Sequence, residues 1–439
     1  MSVPQATPPA GAAAAARAPV RRADRIATLD AVRGIAVMGI LLLNIVDFGL
    51  PGYAYIDPHF AGGASGANWW TWATVFVLAD GKMRGLFTML FGASTVLIAT
   101  RATRRGENAA RVHMARMAAL LAIGMVHGYL IWSGDILVLY AVCGMLVFPA
   151  WRWSTRALVT AAAALMALQL ALGALDYTDA RRFEAAAAAP GAGATVRAQW
   201  ASYRAALAPP PAQAAAEIAA YRGGWRTAQP ERAAVTREMQ TKVLPAMIPE
   251  TIALMLAGMA MFRSGFLSGG WPRRRYRAVA VAGFAICIPL YLPIVAWVTG
   301  TRFDPVVLLL TEPLHLALLR PALAVAEAAA LILFVTSGTA PGLSARLAAA
   351  GQMAFSNYLG TSIVCILLFH GYGLGWFATL ERWQLYPVVL AIWAVMLLWS
   401  SWWLDRFAFG PCEWLWRSMA RGRWQPLRRV TGPAPAPTA

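Results

Sequence analysis

The chain has 439 residues, 59% of them hydrophobic and 13% charged. A soluble protein carries about a quarter charged residues, so a water-soluble domain is excluded, and several runs approach the roughly 20 apolar residues that cross a hydrocarbon core. The net charge of +18 does not make a nucleic-acid binder, because the arginines are dispersed among loops with no aromatic-interleaved basic patch.

Residues 1–24, rich in alanine, proline and arginine, read as a disordered arm, and 426–439 as a disordered tail. Between them, 25–425 read as one all-α membrane domain, a bundle of about ten spans. The spans are expected near 33–50, 84–100, 117–132, 135–150, 157–175, 246–266, 278–299, 321–338, 352–371 and 386–404. Three further segments, Asn68 to Ala79, Phe303 to Leu319 and Phe407 to Trp416, are expected to re-enter or to lie in the interface.

Arginines mark alternate connections. Arg17, Arg21, Arg22 and Arg25 precede the first span, and Arg101, Arg104, Arg105 and Arg111 follow the second. Arg152 and Arg156 follow the fourth, Arg273 to Arg277 the sixth, and Arg417 to Arg429 the last. The positive-inside rule puts these connections and both termini in the cytoplasm, facing anionic lipid. One long connection, 176–245, falls on the opposite side and reads as a lid or as a spacer. Cys143, Cys287, Cys365 and Cys412 show no paired spacing, so neither a disulfide framework nor a metal site is expected.

In this frame polar residues gather at the outer ends of several spans: Asn44 and Asp47 on the first, Asp80, Lys82 and Arg84 where the second begins. His127 lies near the outer end of the third, the turn Trp132-Ser133-Gly134-Asp135 leads into the fourth, and Glu250 opens the sixth. Ionisable groups inside a bilayer are costly and mark function by default. His127 paired with Asp135 reads either as a general base with a fixed tautomer or as a helix-packing histidine. Lys82 and Arg84 read as binding groups or as snorkelling anchors. Glu250 and Glu327 read as site carboxylates or as partners of a nearby arginine. Asn357 reads first as an interhelical hydrogen bond. His113, in a basic cytoplasmic stretch, carries no specific expectation, and exposed His59 and interfacial His370 carry little.

These residues fall in an ordered set. Leu29-Asp30-Ala31-Val32-Arg33-Gly34 leads to Asn44, and Gly81-Lys82-Met83-Arg84 precedes Leu90-Phe91-Gly92. His127 then precedes Trp132-Ser133-Gly134-Asp135-Ile136-Leu137 and Tyr140-Ala141. Ser356-Asn357-Tyr358-Leu359 and Phe409-Gly410-Pro411-Cys412-Glu413-Trp414 complete it. Over about residues 25–425 the chain resembles the YeiB-like family of bacterial inner-membrane proteins, domain of unknown function 418. Cys412 stands where that family usually has leucine, and Ser356 where threonine is common. More distantly it is similar to transmembrane acyltransferases, including the O-acyltransferase group and heparan-glucosaminide N-acetyltransferase, which share the Leu-Asp-x-x-Arg-Gly opening.

The resemblance implies a multi-pass protein of the bacterial cytoplasmic (inner) membrane that moves an acyl group from acyl-CoA to an outward-facing acceptor. That acceptor would be a sugar, lipid head-group or similar group of the cell envelope, and no tightly bound cofactor is implied. In that reading His127, oriented by Asp135, is the base, and Asn44, Lys82 or Arg84 steadies the oxyanion. Asp47, Asp80, Glu250 and Asn357 complete the substrate-binding set, while Arg101 to Arg111 or Arg273 to Arg277 hold the donor's phosphates. A transporter or channel for a small solute would use the same cluster, although the chain shows no repeated halves. A non-catalytic scaffold or sensor would use 176–245 for recognition.

Overall fold

The computed structural model describes residues 27–208 and 210–428. The expected arm over 1–24 and, from 429 onward, the expected tail 426–439 lie outside the described residues. Among the described residues there is no strand, only an isolated antiparallel bridge between Phe407 and Arg428.

The first helices are α1 (Ala27–Gly49), α2 (Gly66–Leu78), α3 (Lys82–Arg104) and α4 (Ala109–Val126), the last continuing as a π turn over His127–Ile131. Next come α5 (Leu137–Val147), α6 (Thr155–Ala188), α7 (Ala194–Ala206), α8 (Pro211–Arg222) and α9 (Trp225–Glu238). The chain goes on through α10 (Leu244–Arg263), α11 (Arg273–Gly300), α12 (Pro305–Leu314) and α13 (Arg320–Ser337). It closes with α14 (Pro341–Gln352), α15 (Ala354–Phe369), α16 (Leu385–Arg406) and α17 (Pro411–Arg421).

Eight helical stretches among the described residues are long and apolar enough to cross a membrane, and the bent pair α14–α15 makes a ninth if counted as one span. The remaining expected crossing, near 135–150, is a shorter apolar helix, Leu137–Arg152. At 1.5–2 Å per residue it covers about 25 Å, somewhat less than a hydrocarbon core of about 30 Å. Two segments expected to re-enter instead continue into spans. The stretch Asn68 to Ala79 joins α3 in one 39-residue apolar run, Gly66–Arg104. Phe303 to Leu319 largely joins α13 in Pro305–Ser337, because the π turn His315–Leu319 carries the helix onward. Much of 176–245 is likewise helical, formed by the end of α6 and by α7, α8 and α9. At about 51 Å, α6 is far longer than a bilayer core needs.

The most enclosed span is α1, while α6 and α11 are the least and present Leu168, Leu172, Ile286 and Leu290 outward. Helices surrounded by lipid gain little from the hydrophobic effect between them and rely on close packing instead. The α3–α10 crossing shows how close. A Cβ on Gly92 would collide with the Met255 carbonyl, and one on Gly258 with the Met89 carbonyl, so each glycine admits the other helix's backbone.

An 80° bend separates α14 from α15. It leaves the first amides of α15 without helical partners. Glu413, in the first turn of α17, supplies them. Its Oε1 accepts the Phe355 and Ser356 amides at 2.8 and 3.1 Å, and its Oε2 accepts the Ser356 hydroxyl at 2.5 Å. The two C-terminal motifs of the sequence are thus two halves of one helix cap. One residue on, Asn357 donates to the Ala350 carbonyl and Ser400 and accepts from the Trp399 indole, tying α14, α15 and α16 together.

Replacing Gly92 or Gly258 by valine should cost about 1–3 kcal/mol through overpacking. Thermal unfolding in detergent would show this as an earlier transition, whereas Gly342→Ala, with nothing within 4 Å of the added carbon, should leave it in place.

Candidate functional site

His127 sits where α4 widens into a π turn, a form that concentrates at functional positions. The last carbonyls of a helix have no partner within it, and α9 provides the donors here. Thr236 Oγ1 donates to the Gly128 carbonyl at 2.8 Å, Gln229 Nε2 to that of Tyr129 at 2.9 Å, and Arg232 Nη1 to that of Leu130 at 3.2 Å. Arg232 is fully buried, and its Nη2 also donates to Tyr372 at 2.8 Å and to His370 Nδ1 at 3.3 Å. Burial, and then the Arg232 charge, push His370 down to about 3, so it stays a neutral acceptor. The long connection 176–245 is therefore part of the turn that carries His127.

The imidazole itself is buried. His127 Nδ1 lies 2.7 Å from Asp135 Oδ1, and Asp135 Oδ2 accepts the Val138 amide in the first turn of α5 at 2.9 Å. A carboxylate only accepts, so Nδ1 carries a proton, and in the neutral ring Nε2 holds a lone pair. Nε2 is buried without a hydrogen-bond partner. The tight turn between them is shaped by Trp132, whose indole donates to Asp47 at 2.7 Å and stacks on Phe48 at 4.2 Å. A side chain at Gly134 would collide with that indole, which explains the Trp-Ser-Gly-Asp order.

Asp47 approaches Glu217 of α8 across Gly52, whose amide donates to Glu217 at 3.0 Å. Burial raises the Glu217 carboxyl to about 7, against the pull of the Gly52 amide and with a further rise from Asp47.

The other expected residues form a separate site. Arg84 and Arg320 bridge the two oxygens of Glu250, at 2.6 and 3.3 Å. Arg320 also donates to Asp80 at 3.3 Å and, through Nε, to His315 Nε2 at 3.2 Å. That leaves His315 Nδ1 as the proton-bearing nitrogen, donating to Tyr291 at 2.8 Å. Lys82 donates to the Phe76 carbonyl at 2.5 Å and lies 4.3 Å from the centre of the Tyr291 ring, against α11. Among the described residues no hydrogen bond or ion pair joins this network to His127. The residues expected to share one pocket thus fall into two clusters: α3 and α5 stand between them, with the Tyr140 hydroxyl 2.7 Å from Thr88 and 3.3 Å from the Arg84 carbonyl. Asn357 belongs to neither, its amide being taken up by α14 and α16.

A cavity of about 1190 Å³ reaches towards His127 from the opposite end. Its mouth carries Arg101, Arg105, Arg111, Arg417 and Arg421, its walls are apolar side chains of α1, α3 and α4, and its inner end is Ile136, Tyr140 and Tyr358. Along α3 it runs from Arg105 to Phe87, about 27 Å at 1.5 Å per residue. Arg273 to Arg277 do not line it. The Tyr358 ring lies 5.3 Å from that of His127 and forms the partition. Beyond it a cleft of about 10 Å³, enough for about one water, is lined by Asn44, Phe48, Thr361 and Ser362.

Sequence reasoning missed the hubs. His315 and Arg320 interrupt an otherwise apolar run, which was the available signal. Nothing local marks Glu217 or the cap that Arg232 makes, because the groups they reach, Gly52 and the Leu130 carbonyl, are over a hundred positions away.

Arg320→Ala should destabilise the fold by about 3–5 kcal/mol, since Asp80 and Glu250 would keep buried charge without their shared cation, and denaturant titration would read it. Because the folded Glu217 value exceeds its ordinary 4.5, its stabilising contribution is complete below about pH 4.5 and is lost as pH rises through about 7. Backbone exchange over α8, corrected for intrinsic rates, should therefore accelerate between about pH 6 and about pH 8.5 in the native chain but not in Glu217→Gln.

A family model described as "Protein of unknown function (DUF418)" matches residues 261–423. The uncharacterized protein YeiB of Escherichia coli (strain K12) is 30% identical over 428 residues, covering 95% of this chain and 100% of that one. The uncharacterized protein YxaH of Bacillus subtilis (strain 168) is 27% identical, covering 93% of this chain and 97% of its own. An uncharacterized protein of Bacillus acidopullulyticus is 24% identical over 93% of this chain and 97% of its own. No solved structure matches. Full-length similarity at this level, with the matched family region, makes the chain a member of the YeiB-like DUF418 family of membrane-type helical proteins.

Proposed function

We propose that the protein is a membrane acyltransferase that takes its acyl group from acyl-CoA in the cytoplasm and delivers it to an acceptor at the outer side of the bacterial inner membrane. The observation that carries this reading is His127. Its Nδ1–H is committed to Asp135, and its Nε2 lone pair is unused, one aromatic ring away from an arginine-mouthed cavity. Phosphates suit the arginines, and a pantetheine arm suits the apolar walls.

In the reaction Nε2 removes the proton from the acceptor hydroxyl or amine as that group attacks the thioester carbonyl. The oxyanion that forms is met by the Asn44 amide and by the Tyr358 hydroxyl, which accepts the Ile136 amide at 3.4 Å and keeps its own proton to donate. Collapse breaks the C–S bond, and His127 returns its proton to the departing thiolate. Lys82, Arg84, Asp80 and Glu250 hold the bundle beside the site.

The second reading is a solute transporter, favoured by the Asp80–Arg320–Glu250–Arg84 network inside the apolar bundle. Flux through proteoliposomes without any acyl donor would favour it.

His127→Ala should lower acyl transfer by about 10²–10⁴-fold in a protein that still folds, with an earlier thermal transition because Asp135 loses its buried partner, and full activity in that variant would remove His127 from the chemistry. Reversing Arg105 and Arg111 to glutamate should raise KM for acyl-CoA while leaving kcat nearly unchanged, the pattern of lost ground-state binding; steady-state kinetics in detergent would show it.

A further inference from the structure

His113 lines the arginine-mouthed cavity and has no part in the chemistry above. Its Nε2 lies 2.9 Å from the Gly144 carbonyl, and its ring stacks on Phe148 with centres 4.7 Å apart. A carbonyl only accepts, so in the neutral ring Nε2 is the donor and Nδ1 holds a lone pair. Nδ1 is buried without a partner, and the whole residue is 1% exposed. Leaving a buried acceptor unsatisfied is costly and calls for an explanation.

Three positions on, and so on the same face of α4, Arg116 also lines the cavity. Its guanidinium lies 4.0 Å over the Trp416 ring, and the Trp416 indole donates to the Arg116 carbonyl at 2.7 Å, fixing the pair as a flat cationic platform. Arginine planes stack on aromatic systems, nucleobases included.

We propose that this wall of the cavity is a purine subsite that reads adenine, resting on the nucleotide-bearing donor assigned above. The base stacks on the Arg116–Trp416 platform, its exocyclic amine donates to His113 Nδ1, and the neighbouring Arg105 and Arg111 take the phosphates. A phosphate group alone offers no N–H donor for His113 and no ring to stack on Arg116. An adenine nucleotide offers one in the same molecule as its anionic groups.

The test compares ADP, IDP and inorganic pyrophosphate by calorimetry on the full-length protein in detergent, with His113→Ala alongside. IDP replaces the exocyclic amine by a carbonyl. ADP should bind the native chain at least about tenfold more tightly than IDP, the loss expected when a buried acceptor keeps no donor. His113→Ala should bring that ratio close to one without changing pyrophosphate affinity. Equal binding of ADP and IDP to the native chain would overturn the subsite and leave a charge-reading pocket that suits a lipid head-group. Absence of binding by either nucleotide would overturn it too. Transfer from acyl-CoA with equal ADP and IDP affinities would sink only the subsite. Selective ADP binding without transfer from any acyl-CoA would sink only the acyltransfer reading.

Discussion

A buried helix end must find partners for its last carbonyls, and in an apolar bundle water cannot supply them. The fold around His127 follows from that constraint. Widening α4 into a π turn sets the imidazole inside the bundle, and three side chains of α9 then cap the carbonyls that follow it. Arg232, the largest of the three, is itself held by Tyr372 and His370 beyond α15. The long connection 176–245 is thereby locked to the site at its base. Its α8 reaches the C-terminal end of α1 separately, through Glu217 and Gly52.

The two polar clusters divide the work. The Asp80–Arg320–Glu250–Arg84 network joins the α2–α3 junction to α10 and α13, and each carboxylate in it meets at least one cation. Buried ion pairs of this kind hold relative positions more than they add stability, while breaking one is costly. His127 and Asp135 have the opposite character. One face of the imidazole is fully committed and the other is left without a partner, an arrangement with no structural benefit of its own. Between the clusters runs α3, which carries Arg84 at one end and forms the wall of the arginine-mouthed cavity along its length.

Some of this was legible in the residues. The spacing of His127 to Asp135 across Trp-Ser-Gly predicted their contact, because so short a turn leaves the two side chains little choice. Asn357 was legible as an interhelical hydrogen bond, since an amide amid apolar neighbours has few other fates. Lys82 and Arg84 misled: they flank the same helix start as Asp80, yet they turn to α11 and α10. Side-chain direction on a helix is set by the 100° step between residues, and which neighbour occupies each face is a tertiary matter. The crossing near 135–150 was legible as apolar, but its length falls short of a full span.

By itself the sequence determined an all-helical membrane-type chain, the apolar stretches that form it, and the His–Asp pair, because composition, period and short-range turns act locally. Only the tertiary structure decided that the charged residues form two sites, that Glu413 caps α15, and that α9 completes the turn of His127. It also decided that the cavity stops at Tyr358. Each of these joins residues tens to hundreds of positions apart, and which of them meet depends on how the helices cross, which no local pattern encodes.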